Sequence, residues 1–111
     1  MEKPLYSFRE TPSFSKRIVA LLTDEELANF QWLLVQTPET GDLIQGGGGI
    51  RKIRCAAKGK GKRGGARVIY YLAIGAEKIF LLDVYAKTEK SDLTSSELQN
   101  LRKIVEEWLQ Q

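Results

Sequence analysis

Apolar residues recur along this chain with two periods, one typical of helices and one typical of strands. Three stretches have the helical period, and each follows a threonine in an N-cap context: Thr11 before Pro12, Thr23 with Glu26, and Thr94 with Glu97. Their apolar stripes are Phe14, Ile18 and Leu21 or Leu22; then Leu27, Phe30 and Leu34; then Leu98, Leu101, Val105 and Trp108. The pattern predicts two consecutive N-terminal helices, the second ending at Thr37-Pro38, and one C-terminal helix.

Between the second and third helices, the chain has three strand-like runs at residues 50–58, 66–74 and 78–87. Gly75-Ala76 predicts a tight turn and an antiparallel hairpin, and Leu5, Tyr6 and Phe8 indicate a short edge strand. The glycine-rich residues 41–49 predict a flexible loop. This β-α-α-β-β-β-α order predicts one α+β domain over residues 1–111, with two N-terminal helices and a C-terminal helix packed on a mainly antiparallel sheet.

Charge is distributed unevenly along this pattern. Residues 43–76 contain eight Lys and Arg and no Asp or Glu, whereas the rest of the chain has nine Lys and Arg against fourteen Asp and Glu. All ten glycines lie in or beside the same segment. A segment with basic but no acidic residues, on a glycine-rich backbone, is typical of a polyanion-binding surface. Nucleic acid is therefore the leading candidate partner.

Several classes of protein are disfavoured by composition. The chain has no histidine, which removes imidazole bases and His-containing zinc sites, and its single Cys55 cannot form an internal disulfide. No carboxylate cluster has metal-ligand spacing, so we expect neither a metal nor a cofactor. The longest apolar run, residues 68–74, is far too short to span a membrane, and the N-terminus lacks the apolar core of a signal peptide. We therefore expect a cytoplasmic protein.

Side chains alternate across a strand, which divides the basic residues into two sets. In the first of the three runs, Ile53 and Cys55 mark the core face, so Arg51 points away while Lys52, Arg54 and Lys58 share the open face. Arg67 on the next run, and Tyr85 with Lys87 on the last, lie on that face too if the strand registers coincide. Tyrosine could then stack on unpaired bases among the charges. The alternatives are edge protection for the lysines and ordinary core packing for Tyr85.

Gly59-Lys60-Gly61-Lys62-Arg63-Gly64 formally matches a dinucleotide-binding fingerprint, but that motif requires a following helix and here a strand follows. We interpret the segment as a basic hairpin tip. Lys58, Lys60, Lys62 and Arg63 are its candidate contacts to the nucleic-acid backbone. A polar loop with no role is the alternative.

Four segments resemble the RelE/ParE toxin superfamily, and its HigB-type branch in particular. They are Gly49-Ile50-Arg51-Lys52-Ile53-Arg54, the Gly-Lys-Gly-Lys-Arg-Gly-Gly loop, Arg67-Val68-Ile69-Tyr70-Tyr71, and Leu81-Leu82-Asp83-Val84-Tyr85-Ala86-Lys87. The resemblance covers nearly the whole chain and implies the toxin of a bacterial type II toxin–antitoxin pair. Such a toxin is a ribosome-dependent messenger-RNA endonuclease whose basic sheet acts without a metal. The implied partners are a cognate antitoxin, the ribosome and messenger RNA.

By the same resemblance, Lys52 and Arg54 take the places of the family's paired basic residues, and Arg67 that of the arginine opening the next strand. Lys87 matches a family lysine, but Thr88 stands where an arginine often follows. Leu93-Thr94 offers no counterpart to a family tyrosine, for which Tyr85 is a candidate substitute. The candidate catalytic residues are Lys52, Arg54, Arg67 and Lys87.

Without a histidine or a metal, the natural nucleophile is the 2′-hydroxyl of RNA, attacking the adjacent phosphate. Arg54 and Arg67 suit stabilisation of the transition-state charge. Crowding by Arg51, Arg54 and Arg67 favours proton loss from Lys52, which makes Lys52 the candidate general base. Two other functions stay open at this point: a ParE-like inhibitor of DNA gyrase, and an RNA-binding module without catalysis.

Overall fold

The structure, a computed structural model, describes residues 6–58 and 65–111. The elements in chain order are β1 (Ser7–Glu10), α1 (Pro12–Leu21), α2 (Asp24–Gln36), β2 (Asp42–Leu43), β3 (Ile50–Cys55), β4 (Ala66–Ala73), β5 (Lys78–Ala86) and α3 (Ser95–Leu109). A 3₁₀ turn at Ile74–Ala76 joins β4 to β5. The predicted order of helices and strands is confirmed, with β2 as an addition.

The strands form one five-stranded sheet in the order β1-β5-β4-β3-β2. β1 pairs with β5 in parallel, and the other neighbouring strands of the sheet pair antiparallel. The chain is therefore α+β with a mainly antiparallel sheet, as the sequence predicts.

The helices cover both faces of this sheet. Phe14 and Ile18 of α1 and Phe30 and Leu34 of α2 pack with the face that includes Val68. On the opposite face, α3 buries a second cluster; its members are Ile50, Ile69, Ala73, Phe80, Leu82, Tyr85, Leu98, Leu101 and Val105. We call this second side the α3 face, and its position matters because the basic strand residues share it.

Local chemistry sets the start of each helix. The Thr11 hydroxyl accepts a hydrogen bond from the Phe14 N–H at 3.0 Å, with Pro12 in the first helical position. Thr23 with Glu26, and Thr94 with Glu97, form complete capping boxes. The three predicted N-caps are thus confirmed.

The prediction of a flexible loop over residues 41–49 is wrong. Asp42–Leu43 pairs with Lys52 and Arg51, and beyond it the Ile44 N–H donates to the Ile50 carbonyl at 2.9 Å. Gly46, Gly48 and Gly49 have φ values of 75°, 64° and 106°, which only glycine adopts readily. The glycines therefore form an ordered reversal between β2 and β3.

All three predicted strands end earlier than expected, β4 by a single residue at Ala73. β3 ends at Cys55 because Lys58 turns to a left-handed φ of 40° and donates its N–H to Glu26 Oε1 at 2.9 Å. β5 ends at Ala86, so Lys87 lies just past the strand, although its N–H still donates to the Gly65 carbonyl at 3.1 Å. Lys58 and Lys87 therefore lie at the end of the sheet rather than on its face.

Candidate functional site

Strand register brings three of the predicted basic residues onto the α3 face. Arg54 lies opposite Arg67, Arg67 lies opposite Tyr85, and Lys52 lies opposite Ile69. Directly opposed residues of antiparallel strands point to the same side, with Cβ atoms about 5 Å apart. From the sequence, this shared face was only a condition. The register fulfils it for Arg67 and Tyr85, whereas Lys87 lies past the end of β5.

These three side chains line one cleft of about 590 Å³, which we call the basic cleft. Its lining residues are Leu33, Thr40, Gly41, Asp42, Lys52, Ile53, Arg54, Arg67 and Ser91. The cleft opens where β2 stops, because β2 pairs only with Arg51 and Lys52 and leaves the next residues of β3 at the sheet edge. A short edge strand therefore gives the cleft its opening.

The two arginines have different surroundings. Arg54 is exposed, and its guanidinium makes no hydrogen bond or ion pair with residues 6–58 or 65–111. Arg67 is half-buried and donates one long hydrogen bond, 3.4 Å, to the Ala66 carbonyl. Each guanidinium keeps most of its five donors, so the pair can hold a phosphate between two strands.

Lys52 forms an ion pair with Asp92, a residue that the sequence did not indicate as part of the site. Its Nζ lies 3.2 Å from Asp92 Oδ1, and its side chain is 29% exposed. Asp92 also accepts a hydrogen bond from the Leu93 N–H at 2.9 Å. The prediction that Lys52 is crowded by Arg51, Arg54 and Arg67 therefore left out an acid that contacts the same amine.

Tyr85 does not offer its ring for base stacking in this structure. The residue is 0% exposed and packs in the α3-side core, so the packing alternative describes it correctly. Its hydroxyl is buried without a hydrogen-bond partner among the described residues, and Lys90 Nζ lies 5.0 Å from the ring centroid. Burial, followed by the nearby Asp92 charge, raises the pKa of Tyr85 to about 12.

The remaining predicted residues lie elsewhere. Lys58 and Lys87 are exposed at the end of the sheet and do not line the basic cleft. Lys60, Lys62 and Arg63 lie outside the described residues. Arg51 points away from the site, as predicted, and donates to the carbonyls of Glu39 and Gly41 at 3.0 and 2.7 Å.

Sequence reasoning missed the part of the site that follows β5, which includes Ser91 and Asp92. Both belong to the connection between β5 and α3, and Asp92 is forty positions from Lys52. The one local signal is that Asp92 lies two residues before the Thr94 N-cap of α3. The capping box fixes that end of the connection, and Lys90 reinforces it by hydrogen bonding to Glu97, which lowers the pKa of Glu97.

Within residues 6–58 and 65–111, no group of three or more His, Cys, Asp or Glu side chains could hold a metal ion. Over the same ranges, no helix has the length and apolar character needed to cross a membrane.

Residues 21–111 match the family model described as the RelE toxin of the RelE/RelB toxin–antitoxin system. The match includes α2, the strands from β2 to β5 and α3, and therefore every residue of the basic cleft.

Proposed function

The chain belongs to the RelE toxin family, and from this premise we propose that it is a ribosome-dependent messenger-RNA endonuclease of the HigB type. It is a toxin of a toxin–antitoxin system, and its family implies a cognate RelB-type antitoxin. The proposal adds the reaction and the target: cleavage of messenger RNA during translation, in the cytoplasm.

One observation carries the proposal: the basic cleft gathers Lys52, Arg54 and Arg67 on adjacent strands. A cleft lined by three cations concentrates positive potential, which attracts and orients a phosphodiester. β-strands also hold these groups more firmly than a loop would, and catalysis by positioning requires that firmness.

The proposed chemistry is attack of an RNA 2′-hydroxyl oxygen on the adjacent phosphorus: the new P–O2′ bond closes a 2′,3′-cyclic phosphate, the P–O5′ bond breaks, and the proton lost from the 2′-hydroxyl is balanced by one that the 5′-oxygen takes from solvent. The phosphate gains negative charge in the transition state, and Arg54 and Arg67 would donate paired N–H groups to its oxygens. In its ion pair with Asp92, the Lys52 side chain acts as a hydrogen-bond donor. We therefore assign Lys52 to the phosphate rather than to general-base catalysis.

The other predicted cations have supporting roles in this proposal. Lys87 and Lys58 are exposed at the end of the sheet that carries Arg54 and Arg67, where they would contact the RNA backbone beyond the cut. We assign Lys60, Lys62 and Arg63 the same role on the strength of their charge alone. Tyr85 supports the site from the core and does not contact RNA in the conformation described.

Two rival functions differ in what they require of the cleft. A gyrase inhibitor has no use for three converging cations at a cleft, and an RNA-binding module would need only their charge. The nuclease requires both the charge and the geometry of Arg54 and Arg67. Substitutions that keep the positive charge but change the arrangement of N–H donors therefore distinguish the nuclease, the gyrase inhibitor and the RNA-binding module.

The test is induced expression in bacteria, with RNA 5′ ends mapped on one reporter message and on the same message lacking its start codon. We expect in-frame cuts on the translated message alone. Arg54→Lys should reduce cutting strongly, and Arg54→Ala by about 100-fold or more. Lys16→Ala, an exposed change on α1 that removes the same charge, is the matched control and should cut normally.

Intact messages in growth-arrested cells would contradict the nuclease function. A DNA supercoiling assay run on the same purified protein then distinguishes gyrase inhibition from binding alone.

A further inference from the structure

We propose that Asp92 is a positioning residue, which holds the Lys52 ammonium in the basic cleft so that it meets the scissile phosphate. The inference rests on the proposed nuclease function and adds to it an acidic residue beside the three basic residues of the cleft. It starts from the 3.2 Å ion pair that joins the β5–α3 connection to β3.

The Asp92 carboxylate is itself fixed from behind. Oδ1 accepts the Leu93 N–H at 2.9 Å, and the next residue, Thr94, is the N-cap of α3. Thr94 and Glu97 bond to each other reciprocally, with N–H to oxygen distances of 2.8 and 3.1 Å. The start of α3 therefore fixes the position of the Asp92 carboxylate. A hydrogen bond to this carboxylate can orient the flexible Lys52 side chain.

Lysine benefits from such an acceptor. Its long side chain has many rotamers, and an ammonium has three equivalent donors with no fixed direction. When one N–H points to Asp92, the other two are directed away from the carboxylate. Ser91, beside Asp92, lines the same cleft as Lys52, so these two N–H groups are available to a ligand there.

The ion pair is poorly placed to serve stability. The Asp92 side chain is 58% exposed, and exposed ion pairs contribute little to the free energy of unfolding. A carboxylate beside a polyanion site also weakens RNA binding through like-charge repulsion. Its presence there is explained if orientation of Lys52 outweighs that repulsion in the transition state.

These opposing effects predict that removing the Asp92 charge lowers the cleavage rate without weakening RNA binding. Asp92→Asn keeps the Oδ1 that accepts the Leu93 N–H, replaces the other carboxylate oxygen by an NH₂ group, and so removes the negative charge that attracts the Lys52 ammonium. In single-turnover cleavage on programmed ribosomes, we expect the maximal rate to fall about fivefold, the size set by an exposed ion pair. The protein concentration that gives half the maximal cleavage rate should equal that of the wild type or be lower. Loss of structure would raise this concentration instead.

A double-mutant cycle tests whether Asp92 acts through Lys52. If it does, Asp92→Asn should have no further effect in a Lys52→Ala background. Glu89→Gln is the matched control: it removes a carboxylate from the same connection, but one that pairs with Arg17 at 3.5 Å. Its cleavage rate should equal that of the wild type. A full fivefold loss on top of Lys52→Ala, or no loss in Asp92→Asn alone, would overturn the inference.

A second measurement does not depend on cleavage. NMR of ¹⁵N-labelled lysine ammonium groups should show restricted motion of Lys52 in the wild type, released by Asp92→Asn and unchanged by Glu89→Gln. Equal mobility in all three proteins would overturn the inference while leaving the nuclease function standing. A wild-type protein that cuts no message, but retains a restricted Lys52, would instead refute the nuclease function.

Discussion

At the scale of single residues, two buried tyrosines of the sheet face opposite sides and have opposite hydrogen-bonding states. The Tyr70 hydroxyl accepts the Gly41 N–H at 2.8 Å and donates to the Pro38 carbonyl at 2.9 Å. The Tyr85 hydroxyl is equally buried and unpartnered within the described residues. An unpaired buried hydroxyl costs about 1–3 kcal/mol, whereas a satisfied one contributes about 1 kcal/mol per bond.

This contrast gives a paired prediction. Tyr85→Phe should leave the free energy of unfolding unchanged or raise it by about 1 kcal/mol, because it removes an unsatisfied group. Tyr70→Phe should lower it by about 1–3 kcal/mol, because the Gly41 N–H and the Pro38 carbonyl lose their partner. Urea unfolding at neutral pH measures both.

The two variants differ from the wild type by the same single oxygen, so each is the control of the other. Equal destabilisation would mean that Tyr85 has a partner in solution. A Tyr85→Phe protein with normal stability but reduced cleavage would restore the direct role in RNA binding first expected of this tyrosine.

At the scale of elements, all three helices begin with a threonine, but their caps differ in burial. Thr11 is 3% exposed, and its hydroxyl both accepts the Phe14 N–H and donates to the Leu82 carbonyl at 2.7 Å. Thr23 and Thr94 are exposed and cap their helices only through the reciprocal bonds with Glu26 and Glu97. The first cap therefore also joins α1 to β5.

Threonine to valine substitution keeps the shape of the side chain and removes the hydroxyl. We expect Thr23→Val and Thr94→Val each to lower the free energy of unfolding by about 1 kcal/mol, the usual value of an N-cap. Thr11→Val should cost about 2–4 kcal/mol, since it also leaves the Leu82 carbonyl unsatisfied in the core.

Chemical denaturation of the three variants in parallel measures this ranking. Equal losses would show that the Thr11–Leu82 bond adds nothing to the cap.

The elements also show which features a sequence can reveal. The caps, the apolar stripes and the β4–β5 turn depend on residues a few positions apart, and these predictions are confirmed. The β2 strand was missed because a two-residue strand is defined by its partner, not by its own pattern. Asp92 was missed, and the packing of Tyr85 was left as one of two alternatives, because each depends on α3 folding back over the sheet, a contact between distant parts of the chain.

At the scale of the whole molecule, the burial of Cys55 and Tyr85 makes the free energy of unfolding depend on pH in the alkaline range. Burial raises the pKa of the Cys55 thiol from 9.0 to about 11 and that of Tyr85 from 10.0 to about 12. Above pH 9 the unfolded thiol loses its proton while the folded thiol retains it, so the unfolded state binds fewer protons. The free energy of unfolding must therefore fall as pH rises from 9 to 11.

We expect Cys55→Ala to be less stable than the wild type near pH 7, because it leaves a small cavity. Between about pH 8 and about pH 10.5, however, it should lose about 1–2 kcal/mol less stability than the wild type, because the titrating thiol is absent. Urea unfolding across this range measures the difference. Parallel losses in the two proteins would show that Cys55 ionises normally in the folded state.

The parallel pairing of β1 with β5 places Ser7 beside Lys78 and Glu10 beside Leu81. A chain is synthesised from its N-terminus, so β1 is complete long before the strand that it pairs with exists. The strands that carry Arg54, Arg67 and Tyr85 are consecutive in sequence, and each can pair with the one before it as it emerges. β1 therefore stays without its partner strand until β5 has been synthesised.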